Sequence, residues 1–84
     1  MKIIKRNGSE AVFDITKIEN AVTKANNAVG ESERMTPMQI KRIAQSVELA
    51  CIEMNRSLGV EEIQDLVEKQ IMAHGAFEVA KHYI

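Results

Sequence analysis

Apolar positions along this 84-residue chain change period once, near residue 14. Lys2 to Lys5 is a short apolar-centred segment, and Glu10 to Phe13 alternates loosely, as a half-buried strand does. Between them lies Arg6-Asn7-Gly8-Ser9, and Asn-Gly is a strong hairpin signal because both residues tolerate positive φ. The chain is therefore predicted to open with a β-hairpin. After Asp14 the spacing becomes helical. Ile15, Ile18, Ala21, Val22, Ala25 and Val29 predict a first helix running to about Ala28, with Asp14 as its N-cap and Gly30 and the polar run Glu31 to Arg34 ending it. Thr36-Pro37 starts a second helix with a capping hydroxyl and a proline at the first helical position. Its apolar stripe is Ile40, Ile43, Ala44, Val47, Cys51 and Met54.

Asn55 to Gly59 is a break that hints at a third strand. Val60 begins a third helix on Ile63, Leu66, Val67 and Ile71, and His74-Gly75 stops it. Ala76 to Ile84 reads as a fourth helix built on Phe77, Ala80 and Ile84. No stop signal follows Tyr83-Ile84, so the expectation is one domain over 1–84, truncated from a longer chain.

Composition narrows the function. The charged fraction is 27% and the net charge −1, which leaves no basic excess to hold a nucleic-acid backbone. No apolar run approaches the ~20 residues of a membrane span. The first five residues are too short for a signal peptide, so cytoplasmic residence is the default. Cys51 is the single cysteine, which excludes an internal disulfide, and its apolar helical setting reads as a small buried hydrophobe. A chain this short has little room for catalytic machinery with its own substrate pocket.

Specific chemistry is sparse. His74 and His82 have no partner at metal-ligand spacing. Ser9, Ser32, Ser46 and Ser57 lack a paired His/Asp arrangement, and no GxxxxGK[ST] loop is present. No catalytic and no metal-binding residue is assigned. Glu61, Glu62, Asp65 and Glu68 read as a solvated helix face, and Met35, Met38, Met54 and Met72 as core filler or rim. The one informative cluster is Lys5-Arg6-Asn7-Gly8 with Phe13-Asp14 and Lys17-Ile18. A hairpin followed by a helix brings Lys5, Arg6 and Lys17 towards a single helix N-terminus. Lys17 opposes the helix dipole there, and a polyphosphate would relieve the conflict. An ordinary solvated hairpin explains the same lysines about as well.

Ile3-Ile4-Lys5-Arg6-Asn7-Gly8, with Phe13-Asp14 and Lys17-Ile18 at this spacing, closely resembles the opening of the ATP-cone family. Val60 to Glu68 is similar to that family's third-helix motif, and Val79-Ala80-Lys81-His82-Tyr83-Ile84 to its last helix. The resemblance covers essentially the whole chain. It implies an α+β fold, mainly α, in which a four-helix bundle is capped by an N-terminal β-hairpin or small three-stranded sheet. It implies the overall-activity switch of a ribonucleotide reductase, which makes the deoxyribonucleotides for DNA replication. ATP keeps that enzyme active, and dATP shuts it down by changing subunit assembly.

The allosteric ligands implied are ATP and dATP, with magnesium, and no cofactor in the chain itself. The partners implied are the catalytic domain of the same parent and other reductase subunits. Carried over position by position, Lys5 and Arg6 fall at the phosphates, and Ala11, Val12 and Phe13 on the segment around base and sugar. Asp14 would bond the base or ribose, Lys17 would make a polar contact, and Ile18 would belong to the apolar wall. Val60 and Gln64 fall on the third-helix face towards the nucleotide. Ala11 replaces a carboxylate, and Val60 a hydroxyl, that some members carry. A phosphate-contacting lysine of some members lies beyond the last helix and so beyond Ile84. The implied parent is the alpha subunit of an oxygen-dependent, diphosphate-reducing enzyme. The alternatives are an anaerobic, triphosphate-reducing one, or a degenerate cone that acts as a protein–protein module. The repressor that carries the same cone behind a zinc ribbon is set aside, because this sequence starts at Met1 directly on the first strand.

Overall fold

The computed structural model describes residues 1–84. Strand β1 (Lys2–Ile4) and strand β2 (Glu10–Val12) form the expected hairpin, with Ile3 opposite Ala11. The turn is tightened at Gly8 alone. Its N–H donates to the Lys5 carbonyl (2.9 Å), and its φ of +86° is the left-handed conformation that glycine adopts without cost. Asn7 contributes through its side chain instead, and its Oδ1 accepts from the Ser9 N–H (3.0 Å) and hydroxyl (2.6 Å).

Helix α1 (Ile15–Asn27) is capped by Asp14, whose carboxylate accepts from the Thr16 N–H. The polar run after Gly30 folds as a short 3-10 turn over Glu31–Glu33. Helix α2 (Pro37–Glu53) begins with a full capping box. The Thr36 hydroxyl accepts from the Gln39 N–H (3.2 Å), and the Gln39 side chain accepts from the Thr36 N–H (2.8 Å). Strand β3 (Leu58–Gly59) realises the hinted third strand and runs parallel to β1, with Ile3 opposite Leu58. Strand order is β2-β1-β3, so the first strand is central. Helix α3 (Val60–Ala73) follows at once, and Gly75 ends it at φ +75°. Helix α4 (Phe77–Tyr83) closes the bundle.

Each helix packs on two neighbours, α1 on α2 and α4, and α3 on α2 and α4. The core is one cluster centred on Val22, Ile43, Val47, Val67, Ile71 and Val79, all without solvent exposure, and Cys51 lies buried within it. Leu58 joins the core from the sheet, and Ile3 and Phe13 pack against its edge. No helix is long and apolar enough to cross a membrane.

Three expectations need correction. Met54 is the residue that caps the end of α2 and is 47% exposed, so the buried stripe ends at Cys51. Ala21 faces outward, beside the cavity described below. In α4 the buried face is Ala76, Val79 and Ala80 with half-buried Tyr83, whereas Phe77 and Ile84 are 59% and 84% exposed. Of the four methionines considered as filler or rim, Met35 is core and Met38, Met54 and Met72 are exposed.

Candidate functional site

The hairpin does not lie flat on the bundle. It leans over the start of α1 and the first turns of α3, and a cavity of about 240 Å³ opens between them. That is slightly below the ~300–1,000 Å³ of typical small-molecule sites, and its walls are mostly apolar, as such sites require. Ala11, Val12 and Phe13 line it from the hairpin side. Val12 is 73% exposed. Ile18 and Ala21 of α1 and Val60 and Ile63 of α3 form the apolar base.

The polar groups gather at the rim. Lys5 leaves the end of β1, Asp14 caps α1, Lys17 stands in its first turn, and Gln64 stands one turn into α3. Neither Lys5 nor Lys17 has a carboxylate within 4 Å. Asp14 is held ionised. The Thr16 hydroxyl (2.6 Å) and N–H (3.0 Å) lower its pKa, assisted by the Lys17 charge. Both bonds fall on Oδ1, so Oδ2 remains for a further donor.

Of the ten residues that the resemblance assigns to the nucleotide, all but Arg6 line this cavity. Arg6 crosses to α3 at the cavity's outer edge. There its Nη2 donates to Gln64 Oε1 (3.4 Å) and its Nε lies 3.6 Å from Glu61 Oε1. Three cavity residues escaped sequence reading besides Ala21: Ile3, Ile63 and Tyr83. Ile3 and Ile63 lie on the apolar pattern, which marks core and cavity wall alike. Tyr83 comes from the far end of the chain, and only its polar tip on a buried ring set it apart. Burial and the Glu68 charge raise the Tyr83 pKa.

Beneath the cavity, α3 is anchored by an ion pair. Arg56 binds Glu62 through both guanidinium nitrogens (3.2 and 2.6 Å), and Glu62 Oε1 also accepts from the Gly59 N–H (3.1 Å). Those bonds pull the Glu62 pKa down to about 2. The pair fixes the β3–α3 junction, and hence Val60 and Gln64.

A cavity walled by a hairpin and two helix starts, with lysines at its rim, is the arrangement the three sequence segments imply. The family model for the ATP cone domain matches residues 1–84. The chain belongs to the ATP cone domain family. Among relatives of this cone, the ribonucleoside-diphosphate reductase subunit alpha of Chlamydia trachomatis is 34% identical over 92 residues, covering 100% of this chain and 9% of that protein. The same subunit of Chlamydia pneumoniae is 40% identical over 88 residues, covering 98% of this chain and 8% of that protein. The anaerobic ribonucleoside-triphosphate reductase of Haemophilus influenzae is 37% identical over 83 residues, covering 98% and 11%. The cone thus spans 8–11% of the length of these relatives.

Proposed function

We propose that this cone binds ATP and dATP in the hairpin–α1–α3 cavity and regulates the overall activity of a cytoplasmic ribonucleotide reductase. The diphosphate-reducing alpha subunit is preferred as parent, because that is the protein named for the Chlamydia relatives. The Haemophilus relative favours the triphosphate-reducing type as the second reading. The observation that carries the proposal is the pairing of an apolar slot with two lysines that have no carboxylate within 4 Å. An adenine ring suits the slot, and Lys5, Lys17 and Arg6 suit the phosphates. Asp14 Oδ2 and Gln64 suit a ribose or a base edge. No group of three or more His, Cys, Asp or Glu side chains is placed to hold a metal ion, so magnesium fits as a companion of the triphosphate, held by phosphate oxygens and water.

ATP and dATP differ by one hydroxyl. A partner left without it costs about 1–3 kcal/mol, enough to bias assembly with the catalytic domain and other reductase subunits if two states bind the two ligands unequally. Calorimetry of the 84-residue chain tests the reading. Binding of ATP and dATP that Lys17→Ala weakens severalfold is expected. No heat from either nucleotide up to millimolar concentration would refute it.

A further inference from the structure

Arg6 is the one cation of the site already engaged. Its guanidinium lies 3.6 Å from Glu61 and donates to Gln64, and both partners are on α3. The surroundings of Arg6 are acidic on that side. Glu61, Asp65 and Glu68 recur at helical spacing along one face of α3. Glu61 lines one shallow cavity with Arg6, and Asp65 and Glu68 line another with it. Lys5 lies next to Arg6 in the chain and has no such competitor within 4 Å.

We propose that Glu61 is a built-in competitor for Arg6, holding the guanidinium against α3 so that a nucleotide's phosphates must displace a carboxylate to engage it. The proposal rests on the nucleotide-binding reading above. The physics is direct. Glu61 meets the guanidinium as a charge contact without a hydrogen bond, and carboxylate and phosphate compete for that one positive charge. Both side chains are largely exposed, so the pair is weak and exchangeable. Glu61 also complements the α3 dipole from the first turn, so it stays in place after losing Arg6 and repels the incoming phosphates. The device penalises a ligand that carries phosphate charge and spares one that carries none.

Calorimetry of the 84-residue chain with ATP and with adenosine tests it. Glu61→Gln should tighten ATP by roughly threefold to tenfold at low ionic strength and leave adenosine unchanged. The gain should shrink in about 0.5 M salt and largely vanish in an Arg6→Ala background. Glu33→Gln removes the same charge beyond the far end of α1, some 20 Å along the helix axis, and should change little. Unchanged or weaker ATP binding in Glu61→Gln overturns the proposal. So does an equal gain in Glu33→Gln, or a gain that survives Arg6→Ala. If the unsubstituted chain binds no ATP, the functional reading itself falls and takes this one with it. ATP binding that ignores Glu61 removes this one alone.

Discussion

Lys17 stands where a helix least favours a cation, in the first turn of α1, and no carboxylate lies within 4 Å of it, so Asp14 offsets only part of the cost from longer range. Such a residue trades stability for another use. Lys17→Ala should therefore raise the unfolding free energy from urea titration slightly, by about a few tenths of a kcal/mol, while weakening nucleotide binding. A scaffolding lysine would move both in the same direction. Glu62 behaves in the opposite way. Its folded pKa of about 2 lies below the ordinary 4.5, so its contribution is complete above the ordinary value and is lost as pH falls through 4.5 towards 2. Stability should decline across that window, and Arg56→Ala should flatten the decline, as urea titrations between about pH 5 and pH 2 would show.

The elements are joined by a few decisive polar contacts. Asn26 is the single buried polar side chain, and it binds the Met35 backbone twice, donating to its carbonyl (3.0 Å) and accepting from its N–H (2.8 Å). It sets the α1–α2 connection. Arg34 adds bonds to the Val29 and Asn27 carbonyls at the open end of α1. Asn26→Ala strands two buried backbone groups and should cost about 2–4 kcal/mol by denaturant unfolding, more than a typical surface change. How far each element was legible follows its length. Helices α1, α2 and α3 span several turns, so Ile18, Val22 and Ala25, or Ile63, Val67 and Ile71, repeat often enough to fix the inward face. Helix α4 has barely two turns, too few for spacing to fix its phase, and of the expected stripe only Ala80 is buried. The aromatic Phe77 looked like core, but the smaller Ala76, Val79 and Ala80 fill the close approach to α1 and α3. Strand β3 is two residues long, so the break at Asn55 to Gly59 only hints at it, and its parallel partner β1 is a fact no local pattern holds.

At the scale of the whole molecule, one core cluster serves all four helices, so damage in one place is felt everywhere. Ile71→Ala, at a side chain without solvent exposure, should cost about 2–5 kcal/mol. That is a large part of the ~5–15 kcal/mol available to a domain, and calorimetric melting should show it as a single lowered transition. The cavity was less legible than the fold. Its N-terminal half is a contiguous motif, whereas Ile63 and Tyr83 enter through tertiary packing. Arg6 is in the motif yet turns away to Glu61, because a carboxylate lay within its reach. The central place of β1 has a temporal corollary. Its parallel neighbour lies more than fifty residues downstream, and the cavity is closed by Tyr83. On a growing chain made at about 5–20 residues per second, the hairpin must wait several seconds for its second partner. Until the last helix leaves the ribosome, the cavity lacks the wall that Tyr83 supplies.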